Sequence, residues 1–332
     1  IMMRLSPPAN LSLEQATTFD VRYGGAEANV AFSLAYQGDK AAFLSVVPEN
    51  RIGDGALRSL SSYGVDTSRV LRTAGRLGTY YMEFGASQRG NQVVYDRAWS
   101  AMALAGRYDF DWEELLADVS TFYFSGITPA VSPALAGACS DALVACRERG
   151  IETVCDLNYR GKMWPPERAR ETMARLLPLV DVCIANDEDA PSALGITKAS
   201  GSLAHGIEEL EAYRETAEEI RSRFGCSVVA SVVRSVSSVE SSRWMGLLCQ
   251  DEGCFESVVH DVHVLEGVGA GDAFSAGLLH ARAHGFTPQS SIDYAIAASV
   301  LKLSVRGDVN YSTSDEISTL DTAGSAGQRV SR

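Results

Sequence analysis

The run Gly267-Val268-Gly269-Ala270-Gly271-Asp272-Ala273-Phe274 constrains this chain more than any other stretch. Glycines set this close let the backbone turn sharply and approach a ligand with no Cβ in the way. Small and apolar residues follow (Ala273, Phe274, Ala276, Gly277, Leu278, Leu279), the pattern of a buried helix. A glycine turn opening a helix points free N–H groups and the positive dipole end outward, a ready site for phosphate. Asp272 stands at that same end. Beside an anion its carboxylate would only repel, unless it takes a proton from an attacking hydroxyl. The combination points to phosphoryl transfer. It is not a Walker A loop, because no Lys-Ser/Thr follows the last glycine. Its place near residue 270 is wrong for a dinucleotide fingerprint on an early strand.

The rest of the chain alternates strands and helices. Helical apolar spacing over 28–38 ends at Gly38, a short apolar run over 41–47 reads as a strand, and a helix over 53–63 closes at Gly64. Then come strand 121–124, helix 133–149 ending at Gly150, strand 153–157, helix 166–178, strand 180–185, helix 207–224 and strand 227–233. Such alternation predicts an α/β fold, a mainly parallel sheet between two helical layers. Residues 9–25 and 71–99 break the rhythm. They alternate polar and apolar residues and carry Phe19, Tyr23, Tyr80, Tyr81, Phe84 and Tyr95, which predicts a small antiparallel sheet. A sheet projecting from an α/β core is a natural lid, since phosphoryl donors are wasted on water. The expected division is therefore a core of residues 1–8, 26–70 and 100–320, a β lid of 9–25 and 71–99, and a polar tail of 321–332. The serine-rich Ser235–Ser242 reads as a loop.

Charge narrows the partners. A formal net charge of −13 makes the chain as a whole repel nucleic acid and anionic membranes, so an anionic substrate needs locally gathered arginines. No apolar run approaches the ~20 residues that span a bilayer. The seven cysteines show neither a Cys-x-x-Cys pair nor a zinc spacing, and read as reduced, buried thiols of a cytoplasmic protein.

Four further segments suit ligand contacts. Gly24-Gly25-Ala26-Glu27-Ala28-Asn29 is a tight turn into a helix, with Asn29 able to bind a polyol. Tyr95-Asp96-Arg97 ends a lid strand and brings a cation. Asp156-Leu157-Asn158-Tyr159-Arg160 follows a core strand, at the carboxyl edge where open α/β sheets bind ligands. Asn186-Asp187-Glu188-Asp189 follows the next strand with oxygens suited to hydrated Mg²⁺.

Gly24-Gly25 with Asn29, Asn186 with an acidic residue three later, and Gly269-Ala270-Gly271-Asp272 together resemble the ribokinase-like (PfkB) carbohydrate kinases, over about residues 3–317. Within them the chain is similar to the 2-keto-3-deoxygluconate kinases. That likeness rests on Arg4-Leu5-Ser6-Pro7-Pro8, Gly85-Ala86-Ser87-Gln88-Arg89, Tyr95-Asp96-Arg97-Ala98, Gly126-Ile127-Thr128-Pro129-Ala130 and the Asn158-Tyr159-Arg160 element. The last makes chemical sense, because a guanidinium forks onto the carboxylate of an acid sugar.

The resemblance implies roles. Asp272 is the base for the sugar hydroxyl, and the amides of Gly269, Ala270 and Gly271 form the anion hole. Arg97 and Arg160, with Tyr80 and Tyr95, hold the keto acid, and Gly24, Gly25 and Asn29 its other oxygens. Asn158, Asn186, Arg234, Gly269 and Gly271 face ATP, while Asn186 and Asp189 organise Mg²⁺ largely through water. A monovalent cation and a homodimer paired through the lids are further implications. The chain departs from the family pattern at Glu266, where relatives carry Asp, at Gly267-Val268, and at Val232-Val233-Arg234. The expected reaction is ATP-dependent phosphorylation of 2-keto-3-deoxygluconate at its terminal hydroxyl. A kinase for ketogluconate, fructose or ribose, or a sugar-acid sensor without turnover, are the alternatives.

Overall fold

Period-two alternation along one central strand organises the molecule. In Val228–Ser238, Val229 and Val233 enter one hydrophobic cluster while Val228, Ala230 and Val232 enter another on the opposite face. A strand apolar on both faces belongs inside a sheet covered on both sides. The computed structural model describes residues 1–86, 89–186, 189–197 and 203–323. Ser87, Gln88, Asp187, Glu188 and tail residues 324–332 lie outside the described residues.

Strands β1 (Met2–Ser6) and β2 (Asp20–Gly24) lead into helix α1 (Ala26–Tyr36). Next come β3 (Val46–Pro48), α2 (Arg51–Ser61), β4 (Leu71–Thr73), β5 (Thr79–Glu83), β6 (Gln92–Asp96) and the short α3 (Trp112–Leu115). The central run is β7 (Thr121–Ser125), α4 (Ile127–Val131), α5 (Pro133–Arg149), β8 (Glu152–Asp156), α6 (Pro166–Leu176), β9 (Val182–Ile184), α7 (Leu210–Phe224) and β10 (Val228–Ser238). The chain continues through β11 (Ser241–Gln250), β12 (Gly253–Glu256), β13 (His260–His263), α8 (Ala270–Ala283), α9 (Pro288–Leu303) and α10 (Ser314–Ala323).

Strands β7, β8, β9 and β10 are parallel neighbours in that order. An antiparallel edge extends the sheet, with β11 on β10 and both β12 and β13 on β11. Leu143, Met173 and Ile220 of α5, α6 and α7 cover one face. Phe274 and Leu278 of α8 and Ile296 of α9 cover the other. Helix α5 shows why its ends are legible: Ser132 Oγ accepts from Leu135 N at 3.2 Å, Pro133 opens the first turn, and Gly150 closes it at φ 66°.

A second sheet of four strands, β2-β1-β5-β6, stands apart from the first. It holds most of the predicted antiparallel segments, with two corrections. Residues 1–8, expected in the core, supply its central strand, because β1 pairs antiparallel with β2 and parallel with β5. Conversely β4, at the start of 71–99, pairs with β3 and not with this sheet. Register gives the small sheet two distinct faces. Arg22, Arg4, Tyr80 and Tyr95 form one cross-strand row, and Val21, Leu5, Tyr81 and Val94 the next.

Two other readings are corrected. Ser235–Ser242 is a hairpin of β10 and β11, with Val236 opposite Ser242; a serine-rich segment masked its strand character. Nor are all seven cysteines reduced. Cys249 and Cys254 are directly opposed across the β11–β12 hairpin and form a disulfide, their Cα atoms 4.1 Å apart, while five others are free and buried. The β12 strand was not read from sequence, so this pairing was invisible there. Among the described residues no helix is long and apolar enough to cross a membrane.

Candidate active site

The glycine turn sits between the two sheets. Gly269 adopts φ 80°, and a Cβ there would lie 1.9 Å from the main-chain oxygen of Asp308, so both conformation and space require glycine. This turn starts α8 and leaves Asp272 in its first turn, where the helix dipole favours a carboxylate. Asn29 Nδ2 donates to Asp272 Oδ2 at 2.6 Å, and Asn29 Oδ1 accepts from Gly25 N at 3.3 Å. Burial pushes the Asp272 carboxyl up to about 6, against the pull of the Asn29 hydrogen bond and the Arg160 charge. A carboxyl half-ionised near pH 6 is mostly ionised at neutral pH, and its raised basicity suits accepting a proton from a hydroxyl in the transition state.

Asp272 opens on a cavity of about 1350 Å³. Gly25, Asn29, Tyr80, Tyr95, Arg97, Asn158, Arg160, Asn186, Asp189, Arg234, Gly269 and Gly271 all line it. Gly24 does not. It backs onto the carboxyl of Asp308, which a Cβ at position 24 would approach to 2.6 Å. Ala270 turns its methyl into the core and offers only its backbone to the turn.

The rings of Tyr80 and Tyr95 lie 6.1 Å apart, and the Tyr80 hydroxyl donates to Asp308. Arg97 is depressed by burial, with Glu27 opposing that shift, and its guanidinium contacts Met163 Sδ at 3.7 Å. Arg160 is exposed to the cavity. Among the described residues neither arginine has a carboxylate within ion-pair distance.

On the β8–β9 side the cavity is rich in oxygen. Asn158 stands at φ 39° and donates from N and Nδ2 to the Asp156 carboxylate at 3.1 and 3.2 Å. Asn158 Oδ1 is buried with no partner among the described residues, an acceptor open to a donor or a cation. Asp156 is raised well above the usual carboxylate range by burial, then by Asp189 and Asp272. Asp189 accepts Tyr159 N at 2.7 Å and Asn186 N at 2.9 Å, tying together the loops after β8 and β9. Asn186 Oδ1 in turn accepts Val232 N at 3.2 Å. Repelling carboxylates and an orphaned amide oxygen form a donor set that fits a hard divalent cation.

The first 315 residues match the model of the pfkB family carbohydrate kinases. The chain belongs to that family. A 2-dehydro-3-deoxygalactonokinase of Haloferax volcanii is 32% identical over 98% of this chain and 96% of its own length. The crystal structure of a 2-dehydro-3-deoxygluconokinase from Thermotoga maritima is 40% identical, covers 97% of this chain and 95% of that one, and superposes with a TM-score of 0.92. A putative ribokinase of E. coli, solved with ATP and Mg²⁺, shares the fold at 18% identity and a TM-score of 0.79, with 97% of each chain covered.

In this carbohydrate kinase Glu27, Arg4, Glu266 and Asp308, to which the motifs assign no role, brace the elements around the site. Glu27 Oε1 accepts from Ser125 N, Ser125 Oγ and Thr128 Oγ1 at 3.1, 2.7 and 2.8 Å, pinning α1 to the end of β7. Behind the glycine turn, Arg4 Nη1 donates to Glu266 at 2.7 Å and to Asp308 at 2.8 Å, all three side chains being buried. Glu266, the departure from the family pattern, thus has a defined place: it also accepts Gly307 N at 2.9 Å. For Asp308 the sequence offers only Arg306-Gly307-Asp308, charged residues flanking a glycine, and that pattern reads as an exposed turn.

Proposed function

We propose that this kinase transfers the γ-phosphoryl group of ATP to the terminal 6-hydroxyl of 2-keto-3-deoxygluconate. The carrying observation is that Arg97 and Arg160, with no carboxylate partner among the described residues, face the cavity that holds Asp272. Guanidinium groups so placed suit a sugar acid, whose carboxylate they take in planar, charge-assisted hydrogen bonds. The printed activities of the Thermotoga maritima and Haloferax volcanii relatives, both kinases of 2-keto-3-deoxy sugar acids, support the same class.

In this reading the sugar acid lies against Tyr80, Tyr95, Arg97 and Arg160, with Gly25 and Asn29 at its hydroxyls. Gly24 supports that turn from behind. Asp272, oriented by Asn29, accepts the proton of the 6-hydroxyl as its oxygen bonds to the γ-phosphorus and the bond to the ADP oxygen breaks. The amides of Gly269, Ala270 and Gly271 at the start of α8 hold the charge on the transferring group. ATP lies along Asn158, Asn186 and Arg234. Mg²⁺, when bound, neutralises phosphate charge, and Asp156, Asn158, Asn186 and Asp189 would hold it, largely through water. The small sheet acts as a lid, and its outer row of Val21, Leu5, Tyr81 and Val94 pairs two copies as a homodimer.

The Haloferax volcanii relative favours a second reading, in which the substrate is the galactonate epimer. The Asn29–Asp272 hydrogen bond and the intact turn argue against a sensor without turnover. ADP release with Mg-ATP, assayed against both 2-keto-3-deoxy acids, ketogluconate, fructose and ribose, tests all of these. Selectivity for a deoxy keto acid supports the proposal; silence on all five overturns it.

A further inference from the structure

One buried charge has no place in the chemistry above. Lys302, in the last turn of α9, is fully buried. Its Nζ donates to the main-chain oxygen of Val305 at 3.0 Å and reaches that of Glu266 at 3.5 Å. The first carbonyl belongs to the loop leading to Asp308, and the second to the segment leading into the Gly269 turn. A Cβ at Gly269 would lie 3.4 Å from Lys302 Cε, so the side chain passes directly beneath the anion hole. Main-chain bonds join the same parts: Leu265 N and Glu266 N both donate to Leu303 O, at 2.8 and 3.2 Å.

Burying an ammonium is costly, and it persists only with compensating partners. Lys302 has them in two carbonyls, the negative end of the α9 dipole, and the nearby charges of Glu266 and Asp308. The balance around it is informative. Glu266, Asp308 and ionised Asp272 bring three negative charges close to where phosphoryl charge must develop, against Arg4 and Lys302. Asp272 is offset from the cavity side by Arg160, but without Lys302 Arg4 alone would face both Glu266 and Asp308 behind the turn, and the excess negative charge would oppose the group the turn has to stabilise. A cation held on main-chain carbonyls under an anion hole is what a bound K⁺ would supply; here a side chain supplies it.

We propose that Lys302 is a positioning residue of phosphoryl transfer, whose ammonium fixes the anion-hole turn to the Val305–Asp308 loop and makes a bound monovalent cation unnecessary. The inference rests on the phosphoryl-transfer role given to the turn. It also replaces the expectation of a monovalent cation with an internal amine.

The test compares wild type, Lys302→Met and Lys302→Arg in KCl, NaCl and choline chloride at equal ionic strength, reading kcat, KM and Tm. Wild-type kcat should agree within about twofold in all three salts, while Lys302→Met loses roughly 100-fold in kcat and under about threefold in sugar-acid KM. Lys302→Arg should retain more activity than Lys302→Met. KCl, and not choline chloride, should raise the Tm of Lys302→Met and partly restore its turnover, and should leave wild-type Tm unchanged. Burial lowers Lys302 to about 8, with Glu266, Asp308 and Asp272 opposing and Arg4 assisting, so wild-type kcat should fall as pH rises through about 8. Lys302→Gln serves if the Met variant fails to fold.

Potassium activation of wild type, a K⁺-specific rise in its Tm, or an undiminished kcat in folded Lys302→Met or Lys302→Gln would overturn the inference. The Tm comparison needs no turnover. An enzyme silent on every sugar acid therefore strikes the proposed function, while the potassium response of the variants still decides the role of Lys302.

Discussion

Arg4, in the central strand of the small sheet, donates to the Asp308 carboxylate at 2.8 Å, and the main-chain oxygen of Asp308 closes the space beside Gly269. One ion pair thus links the sheet that carries Tyr80 and Tyr95 to the turn at the start of α8. Tyr80 strengthens the link by donating to the same carboxylate. Burial raises Asp308, and Arg4 is the strongest of the groups opposing that rise, ahead of the Tyr80 hydrogen bond and Lys302.

Arg4→Met tests this link. Removing the cation leaves Glu266 and Asp308 buried without their main counter-charge, a change that typically costs about 3–5 kcal/mol. Urea denaturation at neutral pH should show a loss of that order. Because the carboxylates regain neutrality on protonation, the loss should shrink as pH falls. A variant as stable as wild type at both pH values would show that the pair contributes nothing to coupling the sheet to the turn.

Asp272 ties activity to instability. Its folded-state carboxyl, at about 6, lies above the ordinary 3.8, so the native state binds more protons than the unfolded state between those values. Stability therefore declines as pH rises through that window, and the full penalty is present above it. Asp272→Asn removes the charge while keeping an oxygen for Asn29. Denaturation midpoints should show it more stable than wild type near pH 8, by up to about 3 kcal/mol, with the gap closing toward pH 4. Its kcat should fall by at least about 1000-fold, and wild-type kcat/KM should decline as pH drops through about 6.

Arg160→Met addresses substrate class. Arg160 is exposed to the cavity and forms no ion pair among the described residues, so its removal breaks no salt bridge and takes from Asp272 only a solvent-screened attraction. Stability should be unchanged within about 0.5 kcal/mol. The loss in kcat/KM should be about 100-fold for a sugar acid and under about fivefold for a neutral hexose. Equal losses on both substrates would remove carboxylate recognition from its role.

How much of this was legible follows from the physics of each element. Helix α5 announces its ends through Ser132, Pro133 and Gly150, all local signals, and the expected 133–149 matches it. The Gly269 turn was likewise readable, since a positive φ and a close approach both demand glycine. Lys302, Glu266, Arg4 and Asp308 were not. Arg4 lies in a quoted motif and Glu266 at a departure from the family pattern, but neither carries a local sign of burial, which comes from contacts across 262 and 304 positions in the Arg4 pairs. Local pattern carries no trace of such a partner. β1 was misplaced for the same reason: five residues with mixed burial fit either sheet until their neighbours are known.

The outer face of the small sheet makes a final prediction. Val21, Leu5, Tyr81 and Val94 form one continuous cross-strand row, and Phe19 adds a ring 6.0 Å from that of Tyr81. Val21 is 56% exposed and Val94 52%, so the row's two ends are open to solvent. Contiguous exposed apolar rows mark contact surfaces more often than lone residues do. The opposite face is committed to Arg4, Tyr80 and Tyr95, which leaves the outer row as the face that pairs in the proposed homodimer. Light scattering after size exclusion should give a dimer for wild type and a monomer for the double variant Val21→Glu, Val94→Glu. Tyr80 and Tyr95 lie one row away on the same strands, so separating the sheets should raise sugar-acid KM several-fold, leaving ATP KM nearly constant. A monomeric wild type would remove the outer row's assigned partner, and an unchanged sugar-acid KM in a monomeric variant would show that pairing and substrate binding are independent.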